Sequence, residues 1–444
     1  MYVRLVDTKG IYTEAFPYPL ALAQVCRLWR RVVLGTPSLW ANVNIVGFGI
    51  DKSKSKALVR AYLDRSKLCP LFLTWFSDEP SLADAQTVVD ELIMPSAERL
   101  KRITLFACGG DAPKALLTAM GTRDFPILRD VEITTSCLQV SLLDFTGCKH
   151  APLLHRWKIE NVLSRPSLPS NLVVLDYQFT MWDSGPIRLD PLIEVLPHVA
   201  HSLEHLRFVT PRLHVSVTPC RSNRSRIPLQ NLKSLLVLGS HAVMDHILTP
   251  NLTYLAVNQE KNIDVLKVAK MFDGFSAPKL QTLKLYQTPL LPLITRHNLP
   301  SKFPQLESVA VVDCTDESAL ISLLVPPEQE GPGSEYWPKR HRFPKLNEVT
   351  MSMSDQTDLA PLQAAVNWSE RADRDTCNFT DYLTRRFSEW GIKFIPDKCL
   401  DLEIPAPAEF QDEFHDRDYE FFDVIARSAC ESVLADDESD PSPE

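Results

Sequence analysis

Residues 277–288 read APKLQTLKLYQT. Ala277-Pro278 interrupt the chain ahead of the apolar residues. Period-2 alternation then sets Leu283 and Leu285 on one face of a short strand, with Leu280 entering the same core and Lys284 pointing the other way. One strand of this kind cannot bury its apolar face alone. The pattern Leu-x-x-φ-x-φ (φ apolar), usually with Pro or Ser ahead of it, recurs through the chain. It reads AERLKRITLFAC at Leu100, FPILRDVEITTS at Leu128, APLLHRWKIENV at Leu154 and PSNLVVLDYQFT at Leu172. It returns as HSLEHLRFVT at Leu203, LQNLKSLLVLGS at Leu232 and TPNLTYLAVNQ at Leu252. Two further copies follow the opening one, FPQLESVAVVDC at Leu306 and FPKLNEVTMSMS at Leu346.

Most leading leucines stand 26 to 31 residues apart; the exceptions are intervals of 18, 20 and 40. Helical patterns lie between many copies: PKALLTAM (113–120), DPLIEVLPHVA (190–200), HAVMDHIL (241–248), NIDVLKVAKMF (262–272) and DESALISLLV (316–325). A short strand plus a helix at this period resembles a leucine-rich repeat. The resemblance implies an α/β solenoid with parallel strands on its concave face and helices outside. Cys108 and Cys314 stand at the Asn/Cys position of that family's consensus. The side chains between the core positions would face the concavity, and Arg102, Thr104, Phe106, Glu132, Lys158, Asp176, Arg207 and Lys284 are its candidate client-binding residues. The competing reading is a set of unrelated αβ units with chance leucine spacing.

Near the start, residues 23–43 read AQVCRLWRRVVLGTPSLWANV. Pro19 suits a helix start. Leu22, Val25, Cys26, Trp29, Val32 and Val33 then form one apolar stripe on a single helix, with Arg27, Arg30 and Arg31 off it. Gly35 is placed to end that helix, and Thr36-Pro37 to open a short second turn that folds Leu39 and Trp40 back. The pattern V-C-x-x-W-R-x-V-x-x-x-x-x-L-W resembles the second half of an F-box, and ALVRAYLDRSKLCPLFLTW (57–75) resembles the connector of the fungal F-box proteins. The Leu-Pro-x-Glu-hydrophobic helix that normally opens the module is not found ahead of Pro19. The resemblance implies that Leu22, Val25, Cys26, Trp29, Val32, Val33, Leu39 and Trp40 dock a Skp adaptor of a cullin ubiquitin ligase. The alternative is a capping helix that closes the end of the array and buries both tryptophans.

The expected organisation is a partial F-box-like module (1–46), a helix–strand–helix connector (47–98) and a repeat array (99–360). A helical cap (361–425) and an acidic tail (426–444), expected to be disordered, complete it. Within the cap, LAPLQAAVNW and FTDYLTRRFSEWGIKFIP read as helices, and 413–435, EFHDRDYEFFDVIARSACESVLA, as an amphipathic helix with aromatic anchors. Net charge is −9, but residues 401–444 hold 15 acidic and 2 basic residues, so the rest is close to neutral. That balance argues against nucleic acid as a partner.

No apolar run suits a membrane span, and the first ten residues lack a signal-peptide h-region. The ten cysteines form no Cys-x-x-Cys pair, as expected of reduced thiols in the cytosol or nucleus. His198, His201 and His205 have a helical spacing that suits a metal, but no further ligand completes a site, so no metal or other cofactor is expected. CRSNRSR (220–226) and PKRHRFPK (338–345) read as solvated basic loops. No phosphate-cradling, nucleophile-elbow or zinc-protease motif is found, and Gly is scarce, with 14 residues in 444. The chain reads as a non-enzymatic adaptor that presents a client protein to a ligase. The alternative is a stand-alone leucine-rich-repeat scaffold, or a truncated member of an expanded family.

Overall fold

A computed structural model describes residues 18–46, 52–77, 81–135, 150–162, 168–179, 189–210, 226–239, 241–258, 272–288, 290, 298–312, 314, 343–352, 384, 388 and 393–396. The chain forms two compact units, Met1–Leu172 and Val173–Glu444.

The first unit begins with α1 (Tyr18–Val25) and α2 (Arg27–Gly35), a 3-10 turn at Pro37–Trp40, β1 (Asn42–Val46), α3 (Lys52–Arg65) and β2 (Leu71–Ser77). Next comes α4 (Leu82–Val88), which runs through a π-turn and a 3-10 turn into β3 (Leu100–Ala107). It closes with α5 (Asp111–Met120), β4 (Asp130–Thr135) and β5 (Arg156–Glu160). Its five strands pair in chain order and all are parallel.

The second unit contains β6 (Val174–Gln178), α6 (Asp190–Val199), β7 (His205–Val209), β8 (Ile227–Pro228), β9 (Ser234–Leu238), β10 (Ile247–Leu248) and β11 (Tyr254–Asn258). These are followed by β12 (Thr282–Tyr286), α7 (Leu299–Lys302), β13 (Ser308–Val312), β14 (Glu348–Ser352) and β15 (Lys393–Pro396). Eight strands pair in parallel in the order β6-β7-β9-β11-β12-β13-β14-β15, and β8 pairs with β10 in a separate small ribbon. The fold is therefore α/β, built on parallel strands linked by excursions long enough to return the chain to the same end. No described helix is long and apolar enough to cross a membrane.

All ten leucine-led copies become strands of these sheets. A turn explains why Pro and Ser precede them. In eight copies the leading leucine's N–H donates to the carbonyl three residues earlier, for example Leu280 to Ala277 at 3.1 Å and Leu172 to Pro169 at 3.3 Å. The turn swings the leucine into the core, and nine of the ten leucines have no exposed surface; Leu346 is half-buried. The alternate strand residues that follow them, such as Ile103 and Leu105 or Leu283 and Leu285, complete the buried face. At about 25 cal/mol per Å² of apolar surface, each buried leucine contributes roughly 2 kcal/mol. Registers run residue for residue, and among the described pairings only β2–β3 shifts, between Leu71 and Phe72.

Side chains just beyond the strands tie neighbouring turns together. Asn161, at φ +58°, donates its Nδ2 to the Thr135 carbonyl at 2.8 Å. Cys314 Sγ accepts from the Thr288 N–H at 3.4 Å and reaches the Leu285 carbonyl. Gly239 needs its glycine: at φ +88° an added Cβ would lie 2.3 Å from Thr210 Oγ1.

Four sequence expectations change. The helix expected over the apolar stripe is broken at Cys26, which adopts φ −160°, ψ 174° and caps α2 with its sulfur. Residues 241–246 form a 3-10 turn and 247–248 a strand, rather than an α-helix. The segment KFIP, read as the end of a helix, is β15, because the open edge of β14 offers it backbone partners. The sheet begins at Asn42, inside the stretch assigned to the N-terminal module, and continues in β2 of the connector. The patterns at 262–271 and 316–325, the segment LAPLQAAVNW and residues 413–435 lie outside the described residues.

Candidate protein-docking surfaces

The N-terminal module is fastened by one tryptophan and leaves another on the surface. The 3-10 turn carries Trp40 under α2, where its indole N–H donates to the Val33 carbonyl at 2.9 Å. Tyr62 of α3 meets the Trp40 ring edge-on with centroids 5.0 Å apart, and the Arg65 guanidinium covers it at 4.4 Å. Thr36 closes α2 through its hydroxyl, which donates to the Val32 carbonyl at 2.7 Å. Arg30 Nε reaches back to the Ala23 carbonyl at 2.9 Å and holds α1 against α2.

With those bonds made, the expected docking residues divide. Val33 and Trp40 are fully buried and Leu22 and Leu39 half-buried, while Val25, Cys26, Trp29 and Val32 are exposed. The exposure is large for apolar side chains: 65% for Val25, 66% for Leu28, 47% for Trp29 and 47% for Val32. Leu28 and Val32 are i, i+4 neighbours on α2, and Trp29 is three residues from Val32, so the three share one side of a nine-residue helix. Leu28 and Leu34, the latter also exposed, were missed by the stripe, which assumed an unbroken helix. The expectation that a cap would bury both tryptophans does not hold, because Trp29 faces solvent.

The second surface is the sheet face that the leucines do not use. Register aligns its residues into rows across the strands. In the first unit one row runs Asn44, Thr74, Thr104, Glu132, Lys158, and the next runs Phe76, Phe106, Thr134, Glu160. Phe76 and Phe106 stack with centroids 5.2 Å apart. Lys158 Nζ lies 2.6 Å from Glu132 Oε1, Arg102 approaches the other oxygen at 3.4 Å, and Glu160 lies 3.9 Å from Lys158. Burial pushes the Glu132 carboxyl up, but Lys158 and Arg102 more than offset this and hold it below the usual glutamate value. Two residues away the balance reverses. Burial raises Asp130 above the usual aspartate value, its neighbouring cations only partly compensate, and its Oδ1 has no hydrogen-bond partner among the described residues.

In the second unit the central row runs Asp176, Arg207, Leu236, Ala256, Lys284, Ala310, Thr350. Arg207 lies 3.5 Å from Asp176, which also accepts from Gln178 at 2.8 Å, and Lys284 Nζ sits 5.5 Å over the Tyr254 ring. Of the candidate client-binding residues, Thr104, Glu132 and Asp176 are buried, and Arg102, Phe106, Lys158, Arg207 and Lys284 half-buried. Arg102, Thr104, Phe106, Glu132 and Lys158 belong to the first unit and Asp176, Arg207 and Lys284 to the second. Of the spaced histidines, His198 lies in the last turn of α6, His201 in the following turn and His205 opens β7, where burial lowers its pKa and favours the neutral ring. The chain matches no family model and no curated protein.

Proposed function

We propose that this protein is a non-catalytic adaptor of a Skp–cullin ubiquitin ligase. Its N-terminal helices dock the Skp adaptor, and its parallel-strand body, read as a degenerate leucine-rich-repeat array, holds a client protein in the cytosol or nucleus. The observation that carries this reading is the divided exposure of the module. Val33 and Trp40 fix α2 to the body, while Leu28, Trp29 and Val32 on one side of α2, and Val25 at the end of α1, leave apolar side chains exposed to something else. A helix whose only task was to close the sheet would turn Trp29 inward, since burying an indole is worth more than burying any other side chain in that helix. The F-box-like sequence pattern supplies the kind of partner: a helical adaptor with an apolar groove. The body supports a recognition role by offering a second sheet face lined in part by aromatic and charged residues, Phe72, Phe76, Arg102 and Phe106 among them.

The test is co-purification of the full chain with a Skp adaptor, beside a Trp29→Ala, Val32→Ala variant. Both positions are about half exposed, so the variant should melt within a few degrees of wild type. Capture by the wild type and its loss in the folded variant is the expected result. A wild-type chain that captures no adaptor would replace this reading with a stand-alone scaffold.

A further inference from the structure

Helix α2 carries two lanes side by side. At about 3.6 residues per turn, Leu28 and Val32 form one i, i+4 line, and Arg27 and Arg31 form the line beside it. Trp29 widens the apolar lane on its other flank, and beyond it Val33 is buried. Arg30 is engaged with α1 through the Ala23 carbonyl, whereas Arg27 and Arg31 are both exposed. Among the described residues neither has a carboxylate partner. Nor does the surrounding sequence supply one. Residues 15–50 hold no Asp or Glu, and their only Arg or Lys residues are Arg27, Arg30 and Arg31. Gly35 stands between the two lanes at the end of the helix. A Cβ added there would meet nothing within 4 Å, so the surface is open at that point.

We propose that α2 docks an acidic amphipathic helix of its partner, which sets two carboxylates one turn apart against Arg27 and Arg31 and an adjoining apolar row against Leu28, Val32 and Trp29. Spacing and charge select this occupant. Residues four apart on any helix stand about 6 Å from one another, so a helix laid along α2 meets both lanes with i, i+4 pairs of its own. Two guanidiniums held one turn apart repel each other. A matching pair of carboxylates relieves that repulsion while the leucine, valine and indole leave water. A lipid surface fits less well, because a helix lying in an interface keeps the side opposite its apolar face free for headgroups and water. On α2 that side is engaged: Arg30 is bonded to α1, and Val33 next to it is buried. This docking rests on the role proposed for the module above. It adds the chemistry of the partner's surface and the two residues that select it.

Charge exchange on the full chain tests it. The probes are two designed helical peptides with the same apolar row, one carrying two glutamates four residues apart beside that row and the other two lysines. The wild-type chain should bind the glutamate peptide at least about tenfold more tightly than the lysine peptide. The Arg27→Glu, Arg31→Glu variant should reverse that preference and melt within a few degrees of wild type, because both positions are exposed. If that variant does not fold, Arg27→Gln with Arg31→Gln takes its place and should abolish the preference. A wild-type chain that binds the two peptides equally, or a folded variant that keeps the wild-type preference, overturns the proposal. Binding of neither peptide also overturns it, and sedimentation on phosphatidylserine vesicles would then assign the surface to a membrane. The Skp adaptor separates this docking from the ligase role. Capture alike by wild type and variant, with no peptide preference, upholds the ligase role and overturns this one. No capture by a chain that still discriminates the peptides does the reverse.

Discussion

The two units solve the same problem on one sheet face and different problems on the other. On the leucine face they are interchangeable: Leu128, Val131 and Ile133 in the first unit do what Leu280, Leu283 and Leu285 do in the second. On the opposite face the first unit carries a ladder of paired charges around Glu132, while the second carries Leu236, Ala256 and Tyr286. Stacking of strands dictates the first set of positions and is indifferent to the second. The second set is therefore free to differ between the two units.

Substitutions of graded severity sharpen that contrast. The largest effect belongs to the shared face. Leu283→Asp with Leu285→Asp places two unpaired carboxylates where each leucine keeps only 2% exposure, and should abolish the folded state of the second unit. A soluble double variant with a cooperative melt near the wild-type temperature would break the argument.

Next comes the charged ladder. Glu132→Ala leaves Lys158 and Arg102 without their common partner and should cost about 3 kcal/mol in urea unfolding. Because the folded pKa of Glu132 lies below its unfolded value, its stabilisation is complete above the ordinary carboxylate range. It is lost as pH falls through the depressed folded value. Asp130 has the opposite sign: its charge costs stability at neutral pH, and the cost disappears as pH falls through its raised folded value. Asp130→Asn should therefore raise the neutral-pH melting temperature slightly, where Glu132→Gln lowers it. If both variants shift stability in the same direction, the two carboxylates do not differ as the geometry requires.

The smallest effect is expected at Lys284, whose contact with the Tyr254 ring is worth about 0.5 kcal/mol. Lys284→Ala should shift the melting temperature by only a degree or two.

The strands were legible in the sequence wherever a leading leucine announced them, because burial of that one residue and period-2 alternation are local properties. Strands β1 and β15 had no such leader. ANVNIV and KFIP earn their place in the sheet only through the edges of β2 and β14, which no local pattern records. The break at Cys26 was hidden for a related reason. Cysteine is a weak helix cap, so the apolar stripe read straight through it, and the face it defined rotated by the time it reached Leu28. Which second-face residues are buried was also illegible. Arg102 was expected to face the concavity openly, yet it is half-buried beside Glu132 of a neighbouring strand.

The residue-for-residue register has one more consequence. From β9 through β13 each strand contributes five paired residues, and the pairing never slips, although the leading leucines that introduce β9 to β14 stand anywhere from 20 to 40 residues apart. The chain thus keeps count only inside the strand. An insertion between strands lengthens an excursion and changes nothing else, whereas one extra residue inside a strand exchanges its two faces and turns core into surface. Over generations such a molecule can grow, trim and redecorate its excursions freely, provided that every return to the sheet lands on the same beat.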